Sequence, residues 1–201
     1  MIYIVGIGPG HRDYILPKAK STLESCDLII GYSRAISSIE FIKAKKIIIK
    51  TLSETILLLK ENKDKKVAVV ASGDPGFYGI TEYIKRNMPK ENIKIIPGIS
   101  SFQYMMSALG RSWNEYYLSS VHGREEDFIN LVIQNKKCIF LTDGKNSPKA
   151  LAKELVQKNI DCKIYVGEDL SYPEEKITIG SPKEIMTGEF SSLSVFVVEV
   201  I

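Results

Sequence analysis

The chain has 201 residues, of which 44% are hydrophobic and 25% are charged, a composition typical of globular proteins. Its formal net charge of +3 is too small, without a block of Lys and Arg, to favour a nucleic-acid partner. No apolar run approaches the roughly 20 residues that span a membrane, and the N-terminus lacks the charged region of a signal peptide.

Strand and helix patterns alternate through the first half of the chain. Short β-branched runs predict strands at residues 2–7, 28–30, 46–49, 67–71 and 93–96. Helical spacing and helix-start signals predict helices at residues 16–25, 34–41, from residue 53 onward, 80–87 and 102–109. This alternation predicts a parallel or mostly parallel α/β sheet.

The segment Gly110-Arg111-Ser112-Trp113-Asn114 interrupts the alternation. It predicts a domain boundary, with domains at residues 1–111 and 112–201. In the second domain, strands are predicted at residues 116–119, 137–141 and 162–166, and helices at residues 126–134 and 148–158. Residues 176–179 and 193–200 resemble strands joined by a turn-rich segment, so we expect a mixed sheet with antiparallel members.

The three cysteines, Cys26, Cys138 and Cys162, are scattered singly and include no C-x-x-C pair. An odd number of isolated cysteines does not make a complete set of disulfides. This pattern of cysteines favours a location in the reducing cytoplasm.

Three glycine-containing loops follow predicted strands of the first half. They are Gly6-Ile7-Gly8-Pro9-Gly10, the segment Ser72-Gly73-Asp74-Pro75-Gly76-Phe77-Tyr78-Gly79, and Pro97-Gly98-Ile99-Ser100-Ser101. Ligands bind at the carboxyl ends of strands in open α/β sheets. A shared ligand therefore explains the three loops better than three unrelated turns, although either serine alone is also suited to capping the following helix.

The first loop does not match the dinucleotide-binding fingerprint. His11 stands where a third glycine is needed, and no acidic residue follows the second predicted strand. Pro9 also lacks the backbone N–H that a pyrophosphate would use. A P-loop is excluded because no G-K-[ST] follows a glycine-rich loop.

The order and spacing of the three loops resemble the motif set of the tetrapyrrole methylase family, over essentially the whole chain. The resemblance implies two α/β domains with a cleft between them, S-adenosylmethionine as cofactor (S-adenosylhomocysteine as product), and a homodimer. It implies a tetrapyrrole or corrinoid substrate and no metal bound by the protein.

Two further segments resemble one branch of the family. Ser120-Val121-His122-Gly123-Arg124 and Gly31-Tyr32-Ser33-Arg34 are similar to the branch that methylates carbon 5 of precorrin-6Y or cobalt-precorrin-7. Some members carry a fused domain for carbon 15; this chain shows none, so a separate partner for that step is expected. A methylase acting at another ring carbon and a non-catalytic α/β binding module remain alternatives.

The resemblance also assigns residues. The expected cofactor contacts are Gly8, Pro9, Gly73, Asp74, Pro75, Phe77, Tyr78, Ser100, Ser101, Thr142 and Asp143. The expected substrate contacts are His11, Arg12, Tyr32, Arg34, Arg111, His122 and Arg124, because arginine matches the carboxylates of a tetrapyrrole. His122 is the candidate for proton transfer. Turn-capping by Asp74, core packing by Phe77 or Tyr78, a common turn at Asp143 and surface positions for single arginines are the structural alternatives.

Overall fold

The computed structural model describes residues 1–124 and 126–201. These residues form two compact units, Met1–Ser100 and Ser101–Ile201. The sequence predicted the boundary between residues 111 and 112. In the structure the units divide after Ser100, so the helix Ser101–Ala108 belongs to the second unit and not to the first.

The first unit is a parallel sheet of five strands. Its elements are β1 (Ile2–Gly6), α1 (Pro17–Glu24), β2 (Leu28–Tyr32), α2 (Ser33–Ser37), β3 (Lys45–Ile49), α3 (Leu52–Glu61), β4 (Val67–Ala71), α4 (Thr81–Asn87) and β5 (Ile93–Ile96). The strand order is β3-β2-β4-β1-β5, and every pair is parallel. The predicted parallel α/β sheet is confirmed.

Apolar clusters cover both faces of this sheet, which explains why its strands are continuous hydrophobic runs. On one face Val5, Ala68 and Val70 pack with α1 and α2 residues. On the other, Ile4 and Val69 pack with residues of α3 and α4. The order places the carboxyl ends of β4, β1 and β5 side by side, so the loops that leave them share one edge.

The second unit is a mixed sheet. Its elements are α5 (Ser101–Ala108), β6 (Tyr117–Ser120), α6 (Phe128–Asn135), β7 (Lys137–Leu141), α7 (Pro148–Gln157), β8 (Cys162–Glu168), β9 (Lys176–Gly180), α8 (Pro182–Ile185) and β10 (Ser194–Val200). The strand order is β6-β7-β10-β8-β9. The β6–β7 pair is parallel, whereas β10 and β9 run antiparallel to their neighbours. The predicted mixed sheet is confirmed.

The packing of α5 determines where the units divide. Phe102, Met105 and Met106 are buried, and the Phe102 and Trp113 rings meet edge to face at 5.4 Å. Met105 Sδ lies 2.9 Å from where a Cβ on Gly167 would stand, so this glycine of β8 leaves room for the helix. These contacts attach α5 to the second sheet.

Helix α8 was missed because its residues read as a turn. Ser181 accepts a hydrogen bond from the Glu184 N–H, and the Glu184 carboxylate accepts one from the Ser181 N–H, which is a capping box. Pro182 occupies the first turn, where its missing N–H costs nothing. The S-x-x-E signal was therefore present in the sequence.

Two negative findings concern the described residues. No helix among them is long and apolar enough to cross a bilayer. They also contain no group of three or more His, Cys, Asp or Glu side chains placed to hold a metal ion.

Candidate functional site

The three glycine loops of the first unit meet through their backbones. Gly73 N–H donates to the Gly8 carbonyl at 2.7 Å, and Gly8 N–H donates back at 3.4 Å. A Cβ on Gly98 would lie 2.2 Å from the Gly73 carbonyl oxygen, and one on Gly6 would lie 2.6 Å from Gly98 N. Because no side chain fits at these contacts, glycine is required for the loops to pack together.

Asp74 ties the second loop to the third. Its Oδ1 accepts a hydrogen bond from the Gly76 N–H at 2.7 Å, and its Oδ2 accepts one from the Gly98 N–H at 3.1 Å. The turn-capping alternative for Asp74 thus describes one of its two bonds. The second bond holds together two of the loops predicted to contact the cofactor.

The rest of the second loop folds back onto the start of α4. Pro75 is buried, and its carbonyl accepts a hydrogen bond from Thr81 Oγ1 at 2.6 Å. Tyr78 has a left-handed φ of 53°, an uncommon conformation for a bulky residue. The residue is 39% exposed, and its ring meets the Phe77 ring edge to face at 5.0 Å.

The first loop ends in a 3₁₀ turn at Arg12–Tyr14. Gly8 has a φ of 77°, and a Cβ there would lie 2.8 Å from the Tyr14 carbonyl oxygen. His11 Nδ1 accepts a hydrogen bond from the Asp13 N–H at 3.3 Å, which caps the turn. His11 and Arg12 are exposed, whereas Pro9 is buried.

The remaining predicted residues of the first unit lie at strand ends of the same sheet. Tyr32 is the last residue of β2 and Arg34 lies in α2; both are exposed. Burial, followed by the nearby Glu54, raises the pKa of Tyr32. Ser100 is 4% exposed and follows β5, while Ser101 is the first residue of α5 in the second unit.

His122 lies in the loop after β6, and its ring is fixed by the loop after β7. His122 Nδ1 is 3.1 Å from the Thr142 carbonyl oxygen, and its main-chain N–H donates to Ser120 Oγ at 3.2 Å. A carbonyl oxygen can only accept, so Nδ1 carries the proton. In the neutral ring, Nε2 is then a hydrogen-bond acceptor and a base.

Asp143 connects the same two loops. Its Oδ2 accepts a hydrogen bond from the Gly123 N–H at 2.6 Å, and its Oδ1 accepts from the Lys145 and Asn146 N–H groups at 2.9 and 2.6 Å. Partial burial raises the pKa of Asp143, but these backbone donors outweigh burial and hold it below its ordinary value. The neighbouring Thr142 is buried, and its Oγ1 donates to the Ser194 carbonyl at 2.8 Å.

The structure separates Arg111 from the His122 loop. Arg111 forms an ion pair with Glu199, a residue that also accepts hydrogen bonds from Tyr116 and from Tyr165 Oη. Glu199 pairs with Lys137 at the amino end of β7, whereas His122 follows the carboxyl end of β6, which is parallel to β7. Arg111 therefore lies at the opposite edge of the second sheet. Arg124, two residues after His122 in the chain, is exposed.

Sequence reasoning missed two residues at the His122 edge. Asn146 Nδ2 donates to the Val121 carbonyl at 2.7 Å, a second link between the loops. Glu168 ends β8 and is 7% exposed. Its Oε1 accepts a hydrogen bond from the Ser191 N–H at 2.9 Å, whereas Oε2 is buried without a hydrogen-bond partner. The pairing of β7, β10 and β8 places it at this edge, and no local sequence signal indicates that placement.

Comparison with known proteins gives a family match along most of the chain. The family model of the tetrapyrrole (corrin/porphyrin) methylases matches residues 1–186. A relative from Methanocaldococcus jannaschii, named a probable cobalt-precorrin-7 C(5)-methyltransferase, is 43% identical over 212 residues, covering 99% of this chain and 98% of its own length.

Solved structures show the same fold. The precorrin-6Y methylase of Archaeoglobus fulgidus matches with a TM-score of 0.80 at 23% identity, covering 100% of this chain and 98% of that one. The uroporphyrin-III C-methyltransferase of Thermus thermophilus, solved as a complex with S-adenosylhomocysteine, matches with a TM-score of 0.82 at 18% identity, covering 98% and 91%.

Proposed function

We propose a carbon-methylation reaction for this chain, which belongs to the tetrapyrrole (corrin/porphyrin) methylase family. The methyl group comes from S-adenosylmethionine and goes to carbon 5 of a corrinoid precursor, cobalt-precorrin-7 or precorrin-6Y. The observation that carries the proposal is the meeting of three glycine loops at one sheet edge, in a chain 43% identical to a protein named for this reaction.

The residues present fit S-adenosylmethionine. Gly8, Gly73 and Gly98 lie in loops that leave the carboxyl ends of parallel strands, and such strand ends hold ligands in open α/β sheets. We propose that these glycines hold the cofactor together with Pro9, Pro75, Phe77, Tyr78 and Ser100 of the same unit. Contacts by Ser101 and Thr142, which belong to the second unit, stay predictions from the family resemblance. When bound, the cofactor supplies a methyl group on a sulfonium, which is already activated for transfer.

The chain's own residues then bind the two reactants and position them for transfer. Glycine loops allow main-chain donors and acceptors close to a ligand, and a rigid site that excludes water supplies much of the rate of such a transfer. We propose that His11, Arg12, Tyr32, Arg34 and Arg124 contact the substrate, whose carboxylates match arginine forks. Arg111 is left out of this set because its guanidinium pairs with Glu199 at the opposite edge of the second sheet.

We propose His122 as the base. Transfer breaks the methyl–sulfur bond and forms a carbon–carbon bond at the ring carbon, and the sulfonium charge is balanced by release of one proton from the substrate. The Nδ1 bond to the Thr142 carbonyl leaves Nε2 as a lone-pair acceptor, so His122 is suited to receive that proton.

Two predictions about assembly rest on the family resemblance alone. They are that the protein forms a homodimer and that a separate partner enzyme performs the carbon-15 step. A cytoplasmic location is also proposed, and the three free, buried cysteines support it.

The decisive experiment supplies the purified protein with S-adenosylmethionine carrying a ¹³C-methyl group and with cobalt-precorrin-7. We expect one labelled methyl group, at carbon 5, located by NMR of the product. Label at another ring carbon would favour a sister methylase. Calorimetry with S-adenosylhomocysteine provides the second arm, since a non-catalytic binding module predicts no heat of binding.

A further inference from the structure

The carboxylate of Asp143 is occupied by the protein's own main chain. It accepts three hydrogen bonds, from the N–H groups of Gly123, Lys145 and Asn146, at 2.6, 2.9 and 2.6 Å. A carboxylate offers about four lone-pair positions, so most of its capacity is used before any ligand arrives. This occupancy disfavours the predicted cofactor contact by Asp143.

The two oxygens of Asp143 have different tasks. Oδ1 closes a local turn, because Lys145 and Asn146 lie two and three residues after Asp143 in the chain. Oδ2 reaches Gly123, twenty positions away in sequence. Gly123 has a left-handed φ of 63°, and glycine adopts this conformation without the strain that a side chain would impose.

His122 is therefore held on both sides. Its successor Gly123 is bonded to Asp143, and its predecessor Val121 is bonded through its carbonyl to Asn146 Nδ2 at 2.7 Å. Asn146 in turn donates its own N–H to Asp143. These bonds and the ring contact with the Thr142 carbonyl fix both the position and the tautomer of the imidazole.

We infer that Asp143 is a positioning residue that aligns the His122 loop, and not a ligand of the cofactor. The inference rests on the methyl-transfer reaction proposed above. It explains why an acidic residue follows β7 at an edge where the substrate itself carries many negative charges. The carboxylate faces main-chain N–H groups, which compensate its charge locally.

The variant Asp143→Asn separates the two tasks. Its amide oxygen retains the bonds from Lys145 and Asn146, whereas its NH₂ group faces the Gly123 N–H, and that bond is lost. We expect kcat with cobalt-precorrin-7 to fall by about 10- to 100-fold, because small misplacements of a reacting group cost that much. The Kd for S-adenosylhomocysteine should change less than about twofold.

A double-mutant cycle tests whether Asp143 acts through His122. In a His122→Ala background, adding Asp143→Asn should lower kcat no further, since residues that act as a unit are strongly non-additive. Independent losses that multiply would overturn the inference. Glu184→Gln is the matched control, because Glu184 also accepts main-chain and hydroxyl bonds, from Ser181, but in the capping box of α8; it should leave kcat unchanged.

A spectroscopic arm does not depend on turnover. The chain has 2 histidines, so ¹⁵N NMR of the imidazoles is readily assigned with the His122→Ala variant. We expect the Nδ1–H form of His122 in the wild type and a mixture of tautomers in Asp143→Asn. If Asp143→Asn does not fold, Asp143→Ser keeps a short acceptor for the local turn and still lacks the Gly123 bond.

The results also distinguish this inference from the proposed function. A wild-type protein that does not methylate cobalt-precorrin-7 contradicts the proposed function. A wild type that methylates, with an Asp143→Asn variant of unchanged kcat and tautomer, contradicts the inference alone. A selective loss of S-adenosylhomocysteine affinity in Asp143→Asn would also overturn it, by making Asp143 a cofactor ligand.

Discussion

Asp74 and Asp143 perform similar tasks in different units. Each follows a strand closely, closes its own turn with one oxygen, and reaches a glycine N–H of another loop with the other. The sequence predicted both as cofactor contacts. It indicates the local turn, because Asp is common in turns, but not the second partner, which lies 24 or 20 positions away.

For Asp74 we predict a modest loss of cofactor affinity on substitution. Asp74→Asn keeps the Gly76 bond and loses the Gly98 bond, so the third loop is held less firmly. Because main-chain groups are proposed to carry the cofactor contact, the lost bond acts on the cofactor only indirectly. The Kd for S-adenosylhomocysteine should therefore rise by no more than about tenfold, the lower end of the weight of one hydrogen bond to a charged group. Calorimetry measures this directly, and a rise beyond a hundredfold would indicate direct contact by the carboxylate.

For His122 we predict a loss of turnover without loss of cofactor binding. His122→Ala removes the proposed base but leaves the three glycine loops of the first unit intact. The value of kcat should fall by about 100-fold or more, the usual contribution of general base catalysis. Affinity for S-adenosylhomocysteine should stay near the wild-type value. Unchanged turnover would show that His122 takes no part in proton transfer.

At the scale of elements, the strands were predicted better than the helix ends. The strands at 67–71, 93–96 and 137–141 agree with the observed bounds of β4, β5 and β7, because β-branched runs between turn residues are strong local signals. The helix predicted at 34–41 ends at Ser37 instead; Ser38 Oγ donates to the Arg34 carbonyl there. Such side-chain bonds to the main chain compete with the regular helix.

The glycine loops give a prediction at this scale. Gly98→Ala should lower the free energy of unfolding by roughly 1–3 kcal/mol, because its Cβ would overlap the Gly73 carbonyl, as in other overpacked sites. Affinity for S-adenosylhomocysteine should fall with it. Gly144→Ala is the control, since a Cβ there meets nothing within 4 Å. Chemical denaturation compares the two variants, and equal stabilities would contradict the packing argument.

At the scale of the whole molecule, fold class was predictable but the division between units was not. Continuous apolar strands indicate a sheet buried on both faces, as the first unit has. Gly110 marks the end of a helix in the sequence. The unit to which that helix belongs depends on the packing of buried Met105 against Gly167 of the second sheet, which no local pattern shows.

Stability in acid is a further prediction for the whole molecule. Backbone donors hold the pKa of Asp143, and main-chain and hydroxyl donors hold that of Glu184, below their ordinary values of 3.8 and 4.5. A group with a lowered folded pKa stabilises the protein fully above its unfolded pKa and ceases to do so as the pH falls through the folded pKa.

The double variant Asp143→Asn/Glu184→Gln should therefore be less stable than the wild type at pH 7. The difference should shrink as the solution is acidified below these ordinary values. Urea unfolding measures both, and a difference independent of pH would contradict the assignment.

The three cysteines have a practical consequence. All are buried, and burial raises the thiol pKa of Cys26, Cys138 and Cys162 to about 11, 12 and 11. Thiolate is the reactive form, so the folded protein offers maleimide reagents almost no native target. A single cysteine introduced at exposed Lys145 would then accept a fluorophore selectively, and its emission would report movement of the loop after β7, to which the His122 loop is bonded, in real time during turnover.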